Sequence, residues 1–319
     1  MTPGAPFDAE VADAPPGGEG WWLAAADGTR LRAVVWRGGG AGTALLFPGR
    51  TEFAEKYGRV VGELVRRGLA VAVIDWRGQG LSDRHPRDAM LGHVRDFADY
   101  QLDVGALLDL AEALGLPTPR FLVAHSMGGC IALRTLVERR DLAGAVFSAP
   151  MWGLHLRALT RGIAGTLSAV AGRVGLGDRP MPGTRRPPAL PFAGNVLTSD
   201  PEIFRWCQGQ LVRHPELALG GPSLAWTGSA LREAREVATG PMPHAPALVL
   251  LGSAEVVVSR DDVVRVARRL PQGELVDLAG ARHEIFMERP ELTGEVWRRV
   301  DGFLERLPGP AARSAAVGG

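Results

Sequence analysis

The run Phe121-Leu122-Val123-Ala124-His125-Ser126-Met127-Gly128-Gly129-Cys130 decides the fold. Its apolar first half and small-residue second half predict a strand that turns sharply into a helix. Such a turn holds a serine hydroxyl exposed, near backbone N–H groups and the positive end of a helix dipole. Because a serine hydroxyl is a poor nucleophile, it needs a neighbouring base and an anion trap. The run therefore predicts a nucleophile elbow with Ser126 as nucleophile; an ordinary strand-to-helix turn is the alternative.

The elbow departs from the usual pattern G-x-S-x-G at one position. Ala124 stands where the pattern has its first glycine, two residues before Ser126. This position is crowded, and alanine is the smallest residue with a Cβ, so the change weakens the pattern without excluding the elbow.

The composition is that of a globular chain, with 319 residues, 46% hydrophobic, 22% charged and a formal net charge of +1. This length predicts one large α/β domain with an inserted subdomain. The basic residues are scattered, so no nucleic-acid partner is expected.

Cys130 and Cys207 form neither a disulfide framework nor a ligand cluster, and we expect no metal or cofactor. No run reaches the ~18 apolar residues of a membrane span, and residues 1–20 lack the basic start of a signal peptide. A cytoplasmic location is expected.

Short apolar runs alternate with helical patterns along most of the chain, which predicts a doubly wound, mostly parallel sheet with its chemistry at the carboxyl ends of the strands. The predicted strands are Trp22–Ala25, Leu31–Trp36, Thr43–Phe47, Ala70–Ile74, Phe121–Ala124, Ala145–Ser148, Ala247–Leu251 and Glu274–Leu278. The predicted helices are Ala54–Arg67, Val94–Leu114, Met127–Arg139, Asp261–Leu270 and Pro290–Leu307. The first two strands are more polar and fit an antiparallel edge hairpin.

Four boundaries follow from the composition and the periodicity. Residues 21–150 and 240–307 form the predicted core, whereas residues 1–20 and 308–319, rich in Pro, Gly and Ala, are expected to be disordered. Residues 151–239 lack a convincing strand and predict an inserted helical cap.

Within the cap, apolar residues recur at spacings of three and four, which predicts one apolar helix face. The residues of this face are Leu156, Leu159, Ile163, Leu167, Val170 and Val174. The face either packs on the core or turns to a lipid surface, where it would allow peripheral membrane contact. Trp152, Trp206 and Trp226 are candidate substrate-binding residues that would wall a groove over Ser126.

The loop after Thr43–Phe47 runs Pro48-Gly49-Arg50-Thr51-Glu52 and faces the elbow in a sheet of this kind. Its backbone can supply one N–H of an oxyanion hole, because Gly49 permits a close backbone approach. The backbone N–H groups of Arg50 and Met127 are the predicted hole. An ordinary turn that is capped by Thr51 is the alternative.

The remaining catalytic candidates follow the last two predicted strands. Glu255 lies on the loop after Ala247–Leu251, where an acid can orient a histidine, and apolar neighbours make an unpaired carboxylate there costly. Asp261 and Asp262 are its rivals, but they stand where a helix begins. His283 follows the final strand, which places it last in the order Ser, acid, His.

With these residues assembled, the chain resembles the α/β-hydrolase fold, and within it the lysophospholipase and monoacylglycerol lipase group of serine hydrolases. The resemblance extends from about Trp22 to Leu307. It rests on Pro48–Tyr57, Asp75–Ser82, Ala124–Gly129, Asn195–Asp200, Gly220–Trp226 and Gly280–Glu284. Two departures are Pro48, where monoacylglycerol lipases usually have a histidine, and Ala124 at the elbow; Glu255 also replaces the commoner aspartate.

The resemblance implies hydrolysis of a monoacyl lipid ester, either a lysophospholipid or a monoglyceride, through an acyl-enzyme and without a metal or cofactor. A general carboxylesterase for small esters is the alternative among enzymes. A non-catalytic lipid-binding protein on a hydrolase fold is the alternative from another class, and the pattern Ser126, Glu255 and His283 speaks against it.

Overall fold

A nine-stranded sheet forms the centre of the protein, in a computed structural model that describes residues 1–155, 158–184 and 191–307. The strands follow the order β1-β2-β3-β5-β4-β6-β7-β8-β9 across the sheet. Their bounds are Thr2–Pro3 (β1), Gly18–Ala24 (β2), Arg30–Trp36 (β3), Thr43–Phe47 (β4), Ala70–Asp75 (β5), Arg120–His125 (β6), Ala145–Ser148 (β7), Ala247–Gly252 (β8) and Gly273–Leu278 (β9).

The strands from β4 and β5 through β9 are parallel, whereas β2 and β3 join the sheet in antiparallel pairs. Every residue of β4, β5, β7 and β8 is buried. This explains why their sequences are apolar except at a strand end, because helices cover both faces of the sheet and leave no polar side. The predicted doubly wound, mostly parallel sheet is confirmed.

Nine α-helices lie in the described part of the chain. Their bounds are Ala9–Ala12 (α1), Gly58–Arg66 (α2), Tyr100–Ala113 (α3), Met127–Glu138 (α4), Ala158–Arg173 (α5), Pro201–Arg213 (α6), Leu224–Thr239 (α7), Arg260–Ala267 (α8) and Pro290–Arg306 (α9). The third begins later than the predicted Val94, because Asp96 and Asp99 form a capping box and a short 3₁₀ turn comes first.

The prediction of a disordered N-terminal segment is wrong. Residues 2–3 pair with β2, and Asp8 caps α1 by accepting a hydrogen bond from the backbone N–H of Val11. Ala12 is fully buried against the core, and Pro15 O accepts a hydrogen bond from the indole N–H of Trp36. The many prolines and glycines conceal a few apolar residues, and burial of these residues fixes the segment. The tail at 308–319 lies outside the described residues.

The three helices α5, α6 and α7 lie in the insertion between β7 and β8, and the described residues of 151–239 contain no strand. Ile163, Leu167 and Val170 on α5, and Val174 directly after it, are between 38% and 61% exposed. Leu156 lies outside the described residues, as does the side chain of Leu159. The apolar face therefore turns to solvent over its described length. Within the same ranges, no helix combines the length and the apolarity that crossing a bilayer requires.

Candidate active site

Ser126 stands at the turn between β6 and α4 with backbone angles of φ +50° and ψ −115°. A non-glycine residue rarely adopts this conformation, and it persists only where the surroundings enforce it. One such constraint is Gly128: a Cβ at this position would lie 2.1 Å from the carbonyl oxygen of Phe47. The first turn of α4 is therefore pressed against the end of β4, which brings the two predicted oxyanion segments together.

Ser126, His283 and Glu255 form one hydrogen-bonded chain. The Oγ of Ser126 lies 2.9 Å from Nε2 of His283, and Nδ1 of His283 lies 2.6 Å from Oε2 of Glu255. A carboxylate can only accept, so Nδ1 carries the proton and Nε2 is left to accept the serine O–H. Both His283 and Glu255 are buried, whereas Ser126 is partly exposed. The arrangement can remove a proton from Ser126 when the serine attacks a carbonyl.

The carboxylate of Glu255 is held on both of its oxygens. Oε1 accepts hydrogen bonds from the backbone N–H groups of Val257 and Val258, while Oε2 faces His283. Burial alone would raise the pKa of Glu255, but these hydrogen bonds and the imidazole outweigh burial and lower the pKa. The carboxylate is thus kept ionised beside the histidine.

The rival acids lie in the first turn of α8 and do not join this chain. Ser259 caps the helix by accepting a hydrogen bond from the N–H of Asp262, whose carboxylate pairs with Arg265. Asp261 is exposed. Both acids stand where the helix dipole favours negative charge.

The loop after β4 is fixed from two sides. The N–H of Gly49 donates to the carboxylate of Glu52, while Gly49 O accepts a 2.8 Å hydrogen bond from the side-chain amide of Gln79. A Cβ at Gly49 would lie 2.8 Å from Glu52 Oε2, so the glycine is needed for this close approach. The peptide that carries the N–H of Arg50 therefore has a single orientation.

A pocket of about 390 Å³ contains Ser126 and His283. Much of its wall is apolar and comes from the cap and from the loops after β7 and β8. The apolar residues include Met151, Leu154, Val196, Leu197, Trp226 and Val257. Arg50 reaches from the loop after β4 into the same pocket, and its guanidinium hydrogen-bonds to Gly220 O at 2.7 Å.

Of the three predicted substrate-binding tryptophans, Trp226 lines this pocket, whereas Trp152 and Trp206 do not. Trp152 is fully buried and donates its indole N–H to Gly129 O, because the chain turns inward directly after β7. Trp206 lies on α6 beneath the guanidinium of Arg59.

A charged cluster that the sequence did not reveal lies behind the triad. Glu52, Lys56 and Glu284 are buried and joined by ion pairs. His125 is buried, as the sequence suggests for a side chain that points away from the nucleophile, yet its ring centre lies 4.7 Å from that of His283. The available signal was a charged residue, Glu284, directly after the candidate base.

Three comparisons place the chain among known proteins. The family model described as "Serine aminopeptidase, S33" (Hydrolase 4) matches residues 41–290. The chain belongs to this hydrolase family. It is 31% identical to lysophospholipase L2 of Escherichia coli K12 over 86% of this chain and 83% of that protein. It is 27% identical to a monoacylglycerol lipase of Mycolicibacterium smegmatis over 77% of this chain and 82% of that protein.

The fold of this family member is also that of a solved lipase. A soluble variant of monoglyceride lipase from Saccharomyces cerevisiae, in complex with a substrate analogue, matches with a TM-score of 0.72 and 21% identity. The match covers 95% of this chain and 99% of that one. The predicted α/β-hydrolase fold and the predicted lysophospholipase and monoacylglycerol lipase group are confirmed.

Proposed function

We propose that this chain hydrolyses the carboxylic ester of a monoacyl lipid, a lysophospholipid or a monoglyceride. The observation that carries the proposal is the hydrogen-bonded chain Ser126–His283–Glu255, which opens into a pocket whose wall is partly apolar. The relatives named lysophospholipase L2 and monoacylglycerol lipase support the same class of substrate.

In the first half-reaction, Oγ of Ser126 bonds to the ester carbonyl carbon while Nε2 of His283 takes the serine proton. Glu255 stabilises the resulting imidazolium and keeps its orientation. The backbone N–H groups of Arg50 and Met127 hold the oxyanion, and the start of α4 adds its positive dipole. Collapse of the tetrahedral intermediate breaks the bond to the alkoxy oxygen, which leaves with the proton from His283.

In the second half-reaction, water replaces the departed alcohol. His283 takes a proton from the water as its oxygen bonds to the acyl carbon. The bond from the acyl carbon to Oγ then breaks, and the proton passes from His283 to Ser126, which releases the fatty acid.

An ester fits the pocket better than the amino terminus of a peptide does. A peptide's α-ammonium is best bound by a carboxylate that has no other cation. The two carboxylates that line the pocket beside the triad, Glu52 and Glu284, both receive the ammonium of Lys56. Because these acids already share a cation, the site is less suited to an α-ammonium than to an uncharged acyl chain.

The cap supports access from a lipid surface. Ile163 and Val170 on α5, and Val174 directly after it, are at least half exposed, and an apolar face of this kind can lie in a membrane interface. We propose that residues 151–239 act as the cap over Ser126 and that peripheral contact of α5 with lipid delivers the substrate.

The test combines labelling with a substrate panel. A fluorophosphonate probe should label wild-type protein and fail to label Ser126→Ala, because only an activated serine reacts. Lysophosphatidyl lipids, monoglycerides and p-nitrophenyl esters of graded length are then compared by kcat/KM. Absence of labelling would favour a non-catalytic lipid-binding protein, and hydrolysis of acetyl esters alone would favour a general carboxylesterase.

A further inference from the structure

Behind the triad lies a cluster of charge that the reaction itself does not use. Glu52 and Glu284 are 4% and 7% exposed, and the ammonium of Lys56 donates to both carboxylates, at 2.6 Å to Oε1 of Glu284. Lys56 is the only lysine of the chain, against 35 arginines. A compact ammonium fits between two carboxylates where the larger planar guanidinium demands more room.

Each carboxylate is also tied to one half of the active site. Glu52 accepts hydrogen bonds from the N–H of Gly49 in the oxyanion loop and from the hydroxyl of Tyr57. Glu284 follows His283 directly in the chain. Lys56 is therefore the bridge between the loop after β4 and the loop after β9.

A third side chain completes the surroundings of this cation. His125 Nε2 lies 3.5 Å from Glu284 Oε2 and 3.8 Å from Glu52 Oε1, with no hydrogen-bond partner among the described residues. One side-chain oxygen or nitrogen each of Glu52, Glu284 and His125 lies within 4.8 Å of the other two, a spacing at which the three could hold a metal ion. The ammonium of Lys56 contacts both carboxylates of this group, so an internal cation stands where a metal ion would bind.

Lys56 and Glu284 stabilise each other's charged forms. Burial would raise the pKa of Glu284, but Lys56 and the two imidazoles lower it to about 2. Burial would lower the pKa of Lys56, but Glu284 and Glu52 raise it. Loss of the ammonium would leave the buried carboxylates of Glu52 and Glu284 without their counter-ion, which is unfavourable.

We propose that Lys56 is a positioning residue whose charge holds the oxyanion loop and the His283 loop in their catalytic arrangement. The inference rests on the proposed ester hydrolysis but concerns a different step from acyl recognition. Because the apolar wall of the pocket comes mainly from the cap and from the loops after β7 and β8, loss of the charge should lower kcat and leave KM nearly unchanged.

The experiment compares three substitutions with one p-nitrophenyl ester. Lys56→Met removes the charge at similar length and should lower kcat by about 30-fold, with KM within about twofold, because small displacements in a catalytic site are costly. Lys56→Arg restores a cation, and its kcat should be at least about threefold higher than that of Lys56→Met. Lys56→Ala lacks a propylammonium group, and added n-propylamine should raise its kcat at least fivefold, since the pocket opens onto this site.

Arg77→Met is the matched control. The side chain of Arg77 is 9% exposed, against 11% for Lys56, and it is likewise held between two carboxylates, those of Asp27 and Asp103. It should lower the melting temperature without any response to n-propylamine. If Lys56→Met does not fold, the double variant Lys56→Met/Glu284→Gln, which keeps the net charge of the cluster, takes its place with the same expected loss.

Two outcomes would overturn the inference: a folded Lys56→Met or double variant with wild-type kcat, or Lys56→Ala that does not respond to n-propylamine. Wild-type protein without activity on any ester would instead overturn the proposed function. The two failures are therefore distinguishable.

Discussion

The guanidinium carbon of Arg50 lies 5.0 Å from the ring centre of Trp226. Arg50 belongs to the loop after β4 and Trp226 to α7, so a cation–π contact joins the predicted oxyanion loop to the cap helix directly at the pocket. Trp226 also hydrogen-bonds through its indole N–H to the hydroxyl of Tyr100 at 3.2 Å. The tryptophan is thus both a wall of the pocket and an anchor of the cap.

Trp226→Ala should lower both stability and the preference for long acyl chains. Truncation of a large buried aromatic residue costs about 3–5 kcal/mol of unfolding free energy, and here it also removes the wall facing Arg50. Thermal melts and kcat/KM for acetyl and decanoyl esters measure the two effects. Trp226→Phe keeps a ring over which Arg50 can lie and should retain the chain-length preference. If Trp226→Ala lowers kcat/KM equally for the acetyl and decanoyl esters, the acyl chain does not lie against Trp226.

Ser126→Ala should lower ester hydrolysis by a factor of about 10⁴ or more while the melting temperature stays near that of wild type. The side chain is partly exposed and packs against little, so its loss costs chemistry rather than stability. Triad members act as a unit, and the double variant with His283→Ala should be no slower than Ser126→Ala. Near-wild-type turnover by Ser126→Ala would overturn the assignment of the nucleophile.

Glu255→Gln should lower kcat steeply, whereas Asp261→Asn, a matched acid-to-amide change on the exposed start of α8, should leave it nearly unchanged. The amide removes the charge that stabilises the imidazolium and favours the wrong tautomer of His283. Steady-state kinetics measures both variants. A large loss for Asp261→Asn alone would assign the acid to α8.

The contribution of Glu255 to the free energy of unfolding depends on pH, and its pKa gives the direction. The pKa of Glu255 is lower in the folded protein than its ordinary value of 4.5. Its contribution to stability is therefore present above pH ~4.5 and is lost as the pH falls through the folded value. Unfolding free energies of wild type and Glu255→Gln should converge in acid.

Strands and catalytic residues could be predicted from the sequence where burial or chain order alone determines the pattern. The buried strands β4 to β8 are apolar on both faces, and the order of Ser126, Glu255 and His283 along the chain places each at the carboxyl end of a strand. Contacts between distant segments were not predictable, because periodicity carries no information about partners. Pairing of Lys56 with Glu284 spans 228 residues, and burial of Ala12 in a Pro- and Gly-rich segment depends on a surface formed elsewhere.

Two glycine substitutions should change stability in opposite directions. In Gly128→Ala the new Cβ would meet Phe47 O at 2.1 Å, so β4 and α4 must separate, at about 1–3 kcal/mol and with a loss of kcat. Gly209 lies exposed on α6 with no atom within 4 Å of a built Cβ, and Gly209→Ala should stabilise by about 0.5–1 kcal/mol. Urea unfolding measures both, and a stable, fully active Gly128→Ala would contradict the close contact.

The length of the acyl chain separates the lipid esterase from the small-ester enzyme. Leu154 lines the pocket of Ser126 and also a second cavity of about 670 Å³ beside α5 and α7. A chain that passes Leu154 would continue to bury methylenes, each worth roughly 0.8 kcal/mol of transfer free energy, or about fourfold in affinity. Even at half that efficiency, kcat/KM should rise about tenfold or more from butyryl to decanoyl p-nitrophenyl esters.

Leu154→Trp supplies the control, because a larger ring at the residue that lines both cavities should obstruct a chain that extends from one into the other. In this variant the decanoyl ester should lose its advantage while the butyryl ester keeps its wild-type kcat/KM. Val212→Trp, a substitution at a residue that is 77% exposed on α6, should change neither ester. A wild-type series that peaks at or below four carbons would remove the lipid substrate from the proposal and leave the triad intact, since the chemistry at Ser126 does not depend on where the chain lies.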